Sequence, residues 1–280
     1  MPSYDTPKPI TVDVSLYAGR LRVVAGDRAD TVVEVRPTSE SQELDVRAAQ
    51  RTHVEFSNGK LLIKGPKDRL LFSRSNPSVD VEIALPAGSA LYAATTAVHL
   101  TAEGTLGDCE FKTSAGDVQV ERAARVKLGT GFGEIAVGRA NGAADISTGS
   151  GQIRVGEATG PLGIKNSNGS VHLGDIEAAA TVKTANGAIT VDRATADVTL
   201  KTSNGAIEVG ELVRGTAVLE SAAGRIKVGI RQGTAAWLDV RTKFGVVDQE
   251  LEASDAPGEP TDTLKLQARL GMGDITVHRA

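Results

Sequence analysis

The chain contains 280 residues, of which 40% are hydrophobic but only 3% are aromatic. An aliphatic core with so few rings suits thin, regular layers better than a broad globular interior. The 31 basic and 35 acidic residues give a net charge of -4, so no overall positive field would attract nucleic acid. The sequence has no apolar stretch of the ~18 residues that span a membrane, and its start lacks the apolar core of a signal peptide. We therefore expect a cytoplasmic protein.

The N-terminal part of the chain predicts irregular strands. Residues 1–8 are polar and contain two prolines, so we expect them to be disordered. Residues 10–16 and 79–85 alternate apolar and polar side chains, which is typical of strands with one buried face. We expect residues 9–90 to form a β-strand cap continuous with the sheets that follow, because an uncovered sheet end exposes unpaired backbone groups.

A loop between two of these strands carries three consecutive apolar residues, Leu70, Leu71 and Phe72. Such a triplet either folds over the end of the sheets as a plug or stays exposed and contacts a partner. These residues are therefore a candidate interaction loop.

From residue 109 onwards the sequence repeats with a period close to 18 residues. Typical copies read IKNSNGSVHL, VKTANGAITV and LKTSNGAIEV. Each copy is anchored by a glycine, and the regular anchors are Gly116, Gly133, Gly151, Gly169, Gly187, Gly205 and Gly224. Looser copies surround Gly245 and Gly273. A repeat of this length indicates a stack of similar structural units.

Apolar residues occupy fixed positions five before, two after and four after each glycine. This alternation predicts two short strands per copy, with a corner at the glycine. One copy cannot bury its own apolar face, so neighbouring copies must stack. The sequence therefore predicts an all-β fold, a parallel β-solenoid (β-helix) of about nine coils over residues 91–280. We expect an acidic loop insertion at residues 250–263.

Stacking would also place a polar column inside the solenoid, three residues before the glycines. Its members are Thr113, Thr130, Thr148, Asn166, Thr184, Thr202, Ser221 and Thr242. Buried polar groups are normally hydrogen-bonded, so we interpret this column as a structural element of the corners.

The residues that could carry metal or thiol chemistry form no recognisable site. The only cysteine, Cys109, falls at an inward position, which predicts a buried apolar side chain rather than a nucleophile. The four histidines share no metal-ligand spacing: His53, His99, His172 and His278. The sequence therefore predicts no metal site and no cofactor.

One pair of carboxylates leaves an enzymatic alternative open. Glu157 and Asp175 would stack about 5 Å apart, close to the separation of the two carboxylates in a retaining glycosidase. Arg139 and Arg193 flank the pair in the same column, which favours an ordinary ion network. The alternative function is a β-helical polysaccharide lyase or hydrolase, and we assign no catalytic residue.

An outward column four residues before the glycines is basic. We call Lys165, Lys183, Lys201 and Arg241 the basic stripe. Like charges on neighbouring strands are unfavourable, so their stacking needs an explanation. The stripe either binds an anionic polymer or an acidic protein surface, or it only keeps the β surface soluble. These four residues are the candidate binding site.

The repeated phrase K-T-[SA]-N-G-[AS]-[IV]-x-V follows a β-rich segment that ends in Leu85-Pro-Ala-Gly88. This combination resembles a bacterial family of β-strand-repeat proteins of unknown function that are labelled adhesins. The resemblance covers residues 10–278 and implies a β-solenoid. It implies little about function, because a fold does not determine a function. It also leaves a surface location open.

These observations favour a non-enzymatic structural or binding scaffold, adhesin-like, that acts through its repeat surface or by end-to-end self-association. The expected partners are a protein or an anionic polysaccharide, without nucleic acid or a membrane span. For self-association we expect the C-terminal coil, residues 264–280, to be the open end, because uncapped solenoid ends can join.

Overall fold

The computed structural model describes residues 2–66, 77–250 and 262–280. The fold is all-β and is built from parallel β-solenoid ladders, which confirms the predicted fold class. The chain divides into two compact units, residues 1–142 (unit 1) and residues 143–280 (unit 2). The candidate interaction loop of Leu70, Leu71 and Phe72 lies outside the described residues, as does most of the expected acidic loop.

Unit 1 contains eleven strands and one helix among its described residues. They are β1 (Ser3–Asp5), β2 (Thr11–Ser15), β3 (Ala18–Gly26), β4 (Asp30–Pro37), α1 (Glu43–Arg51), β5 (His53–Ser57), β6 (Lys60–Lys64), β7 (Val79–Pro86), β8 (Ala90–Ala94), β9 (Ala97–Ala115), β10 (Val118–Phe132) and β11 (Ile135–Ala140).

Parallel pairing dominates unit 1. Strand β2 lies between β6 and β8, and β3 lies between β7 and β9. The long strand β9 then pairs with β10 along most of its length. These registers stack apolar side chains in columns, as where Val23 faces Ile83 on one side and Ala102 on the other.

The outermost strands of unit 1 are antiparallel and include elements that we did not predict. Strand β4 pairs with β7, β1 pairs with β4, and β5 pairs with β6. The expected disorder of residues 1–8 is wrong for Ser3–Asp5, because these residues complete the pairing with β4. Helix α1 packs on β4 and β7, and the buried Asp45 accepts hydrogen bonds from the backbone N–H groups of Ser39 (3.2 Å) and Ser78 (2.8 Å).

Unit 2 contains fourteen strands among its described residues. They are β12 (Ala144–Ser150), β13 (Ile153–Ala158), β14 (Leu162–Asn168), β15 (Val171–Ile176), β16 (Ala180–Asn186), β17 (Ile189–Ala194), β18 (Val198–Asn204), β19 (Ile207–Leu212), β20 (Gly215–Ala223), β21 (Ile226–Ile230), β22 (Thr234–Phe244), β23 (Val247–Glu250), β24 (Asp262–Met272) and β25 (Ile275–Arg279).

Each coil of unit 2 contributes one strand to each of two parallel ladders. One ladder runs β12–β14–β16–β18–β20 and the other β13–β15–β17–β19–β21. The register follows the repeat, so that Ile164 faces Val182, which faces Leu200. All three side chains are at most 1% exposed. The two-strand coil that the sequence predicts is therefore present.

The last two coils are stacked in the reverse of their chain order. Strand β24 lies between β20 and β22, and β25 lies between β21 and β23. The expectation that residues 264–280 form the open end is thus wrong, because they form an inner coil. Gln249 of β23 lies opposite Val277 and is exposed. Placing that coil inside the stack would instead bury the Gln249 amide, which is costly without hydrogen bonds.

The predicted polar column is buried from Thr113 to Ser221. Several of its hydroxyls donate hydrogen bonds to carbonyl oxygens at the corner of the preceding coil, whereas the buried Thr184 hydroxyl has no hydrogen-bond partner among the described residues. Thr202 Oγ1 donates to the Gly187 carbonyl at 3.1 Å, and Ser221 Oγ donates to the Gly205 carbonyl at 3.1 Å. The column therefore satisfies backbone acceptors at the corners.

Candidate functional site

The three lysines of the basic stripe lie opposite one another on β14, β16 and β18. The alternation that buries the neighbouring apolar residues turns these lysines outward, and adjacent strands lie about 4.8 Å apart. Lys201 pairs with Glu220 on β20 at 2.8 Å. In the part of the chain that the structure describes, Lys165 and Lys183 have no carboxylate within salt-bridge distance. Their ammonium groups are therefore available to an anionic ligand.

The same column continues across β20, β24 and β22. Glu220 lies opposite Arg269, and Arg269 lies opposite Arg241. The structure therefore places Arg269 between Glu220 and Arg241, although our candidate site did not include it. The signal was present in the sequence, since Arg269 also precedes its glycine, Gly273, by four residues.

The two arginines share one acid, Asp239 of β22. Arg269 donates to the Asp239 carbonyl oxygen at 2.8 Å and to its carboxylate, while Arg241 Nε lies 3.2 Å from Asp239 Oδ1. The hydrogen bond from Arg269 holds the pKa of Asp239 below its ordinary value. The arginines are therefore more firmly positioned than Lys165 and Lys183.

A groove of about 750 Å³ lies along this column. Its charged lining residues are Lys183, Lys201, Glu220, Arg241, Lys243 and Arg269. Five cations thus face one acid, while the hydroxyls of the lining residues Thr202, Ser221 and Thr242 already donate to backbone carbonyl oxygens. We call it the basic groove. Its charge and its hydrogen-bond donors suit a ligand that carries several negative charges.

The carboxylate pair of the enzymatic alternative belongs to an ion network. Glu157 lies opposite Asp175, as predicted. Asp175 Oδ1 lies 4.0 Å from Arg193 Nη1, and Arg193 Nε lies 3.0 Å from Glu211 Oε2. The surroundings are therefore those of alternating surface charges. Among residues 2–66, 77–250 and 262–280, no three His, Cys, Asp or Glu side chains meet as a metal site would require.

Cys109 on β9 is buried, as the repeat predicts, with 1% of its surface exposed. Burial raises the pKa of its thiol from 9.0 to about 12. The folded protein therefore favours the neutral thiol. The contribution of this group to the free energy of unfolding is complete below pH 9 and is lost as the pH rises towards 12.

We expect the Cys109 thiol of the native protein to react at least roughly 100-fold more slowly with a thiol reagent at pH 8 than that of the unfolded protein, because it is buried and protonated. The measurement is the rate of absorbance change with a chromogenic disulfide, with and without denaturant. Equal rates in both states would show that Cys109 is accessible.

Five large apolar side chains that the sequence did not single out are exposed among the described residues, Phe132 and Met272 being two of them. The other three, Trp237, Phe244 and Val246, are 56%, 70% and 66% exposed. All three belong to the segment of β22 and β23, which we call the last coil. Phe244 directly precedes a corner glycine, an outward position that the repeat could have indicated. Their clustering at the end of the stack follows only from the reversed order of the coils. Lys265 Nζ lies 5.0 Å from the centre of the Trp237 ring.

The strand pairings define this chain as a parallel β-solenoid protein with a basic groove along one outer column. It belongs to the Toastrack DUF4097 family, whose model matches residues 21–277. This match agrees with the expected family of unknown function, whereas the 18-residue repeat phrase as a mark of that family stays a prediction. In the part of the chain that the structure describes, no helix has the length and apolar character needed to cross a membrane.

Two solved structures are similar to this chain at low identity. A putative adhesin from Bacteroides fragilis NCTC 9343 is 12% identical, with a TM-score of 0.38 over 99% of this chain and 95% of the other. A putative cell adhesion protein from Clostridium sporogenes ATCC 15579 is 11% identical, with a TM-score of 0.22 over 100% and 98% of the two chains. No protein of curated function matches the chain.

Proposed function

We propose that this protein is a non-enzymatic binding scaffold whose basic groove binds an acidic polysaccharide. The observation that carries the proposal is a row of four cations on stacked strands with one acid, Glu220, among them; the cations are Lys183, Lys201, Arg269 and Arg241. Parallel strands hold these charges at a repeat of about 4.8 Å. A regular row of positive charges favours a polymer with regularly repeated negative charges.

The lining of the groove supports binding rather than glycoside hydrolysis. A glycosidase of the common type needs two carboxyl groups on either side of the scissile bond. Glu220 is the one carboxylate among the described lining residues, and it is paired with Lys201 at 2.8 Å. The arrangement therefore offers charge complementarity to a ligand without the acid and base of a hydrolase.

We expect Lys183→Glu to weaken binding of polygalacturonate at least tenfold, because the change removes an unpaired cation and adds an anion inside the groove. The measurement is isothermal titration at low and at physiological salt, with binding weaker at the higher salt. The matched control is Lys227→Glu, which makes the same charge change at an exposed position of unit 2 outside the groove. The proposal would be refuted by an equal loss of affinity for polygalacturonate in the two variants. It would also be refuted if the protein bound neutral dextran as tightly as polygalacturonate.

Glu220, the acid in the groove, allows an experiment in which a substitution is expected to strengthen binding. Glu220→Gln removes the partner of Lys201, so we expect polygalacturonate to bind up to about fivefold more tightly, the equivalent of the ~1 kcal/mol of an exposed ion pair. Tighter binding would distinguish a specific role of the groove from damage to the fold, which can only weaken binding.

A further inference from the structure

The last coil has a free strand edge among the described residues. Strand β22 pairs over the span Thr234–Phe244 with β24, its one partner in the part of the chain that the structure describes. With respect to residues 2–66, 77–250 and 262–280, its other edge therefore presents unpaired backbone N–H and C=O groups, which readily pair with another strand. At eleven residues, β22 is long for an edge strand, and long exposed edges promote association.

The inward side chains of the last coil are also less buried than those of the coil beneath it. Leu238 and Val240 point inward like their counterparts Leu266 and Ala268 on β24. The β24 residues are 0% exposed, whereas Leu238 and Val240 are only partly buried. Leu238 and Val240 therefore give this end of the stack a partly exposed apolar surface of the kind that marks an interaction site.

We propose that two copies of this chain join end to end through β22 in a two-fold symmetric dimer. Two-fold symmetry places the same strand of each copy at the interface. The two β22 strands then pair in antiparallel orientation and continue the ladder across the interface. The proposal is independent of the polysaccharide-binding function.

The sequence of β22 is complementary to itself in one register. When the pairing is centred on Val240, that residue faces its own copy, and Asp239 faces Arg241 of the second copy. Trp237 then faces Lys243, a pairing that allows a cation–π contact. Outward residues meet outward residues and inward residues meet inward residues, as a shared core requires.

Neighbouring registers place like charges opposite each other. Centring the pair on Asp239 would put two Asp239 carboxylates face to face, and centring it on Arg241 would oppose two arginines. Shifting the register by a single residue relative to the second strand would turn the inward residues outward. The Val240-centred register therefore has the best charge and face matching of these alternatives.

Unit 1 offers no equivalent edge for head-to-tail growth in the part of the chain that the structure describes. Its outer strands β1 and β5 contain 3 and 5 residues and pair antiparallel with their neighbours. Such short strands cannot match the length of β22. The symmetric dimer is therefore favoured over a filament.

Sedimentation velocity of the full chain over a hundredfold concentration range is expected to show a monomer–dimer equilibrium without larger species. Val240→Lys places a charge on the inward side of the edge and is expected to raise the Kd of the dimer at least tenfold. Val218→Lys, at a half-buried outward position of the inner strand β20, should leave dimerisation unchanged. A monomer at every concentration, or growth into filaments, would overturn the proposal.

A cysteine cross-link tests the register without relying on a destabilised variant. In the proposed dimer the cysteine of Val240→Cys lies opposite the same cysteine of the second copy. The two Cα atoms are then about 4.5–5.5 Å apart, as in an antiparallel pair, and this distance suits a disulfide. Leu238→Cys faces Thr242 instead and lies about 13 Å from its own copy. Mild oxidation should therefore cross-link the first variant and leave the second monomeric on a denaturing gel. Equal cross-linking of both would contradict the register.

Discussion

Replacing Gly187 by alanine is expected to destabilise the protein by about 4 kcal/mol, from overpacking and backbone strain of about 1–3 kcal/mol each. A Cβ atom at this position would lie 2.1 Å from the carbonyl oxygen of Gly169 in the preceding coil. The Gly187 φ of 151° is also rare for residues with a side chain. The measurement is urea unfolding followed by circular dichroism.

The matched control for this substitution is Gly163→Ala. Its Cβ would meet its nearest neighbours, the Ala144 carbonyl and the Asp145 carboxylate, at 3.8 Å, which is ordinary van der Waals contact. We expect its stability to be unchanged or up to about 1 kcal/mol higher, because alanine has less backbone freedom than glycine in the unfolded chain. Similar unfolding midpoints for both alanine variants would show that the corners tolerate side chains.

Leu266→Ala is expected to lower the free energy of unfolding by about 2–5 kcal/mol, the usual cost of truncating a fully buried leucine. Leu266 lies on β24 between Ala217 of β20 and Leu238 of β22, and it is 0% exposed. Trp237 is the only tryptophan of the chain and lies on the adjacent strand, so its fluorescence reports unfolding of these coils.

Leu238→Ala makes the same truncation in the same column, one coil further out. Leu238 is only partly buried, so we expect its loss to cost less than half as much at a protein concentration that keeps the chain monomeric. A larger loss for Leu238 than for Leu266 would contradict the reversed order of the last two coils. The comparison thus tests stacking order through stability.

The repeat predicted the inward columns well because alternation along a strand is a local property. Ile164, Val182 and Leu200 are buried where the spacing from their glycines places them, and so is Cys109. The lysines of the basic stripe are stacked at the predicted register. Their role as a binding site stays a prediction, because stacking alone does not distinguish a ligand site from a solubilising surface.

The N-terminal region was less predictable because its contacts are distant in sequence. Ser3–Asp5 is ordered by pairing with β4, and no local sequence pattern indicates that pairing. Helix α1 depends on Asp45, whose carboxylate accepts one hydrogen bond from a residue 33 positions away. The boundary of the expected cap at residue 90 also stays a prediction, since β9 pairs with both β3 and β8.

Side-chain alternation and glycine spacing alone were sufficient to establish the solenoid coil, its corners and its inward columns, because each depends on residues a few positions apart. Only the tertiary structure determined which coil ends unit 2, and therefore where Trp237 and the free edge of β22 lie. The same stacking order places Arg269 between Glu220 and Arg241. The physical reason is that backbone hydrogen bonds can join any parallel strand edge to any other. The order of stacking depends on which side chains tolerate exposure, and Gln249 tolerates it better than Val277 does.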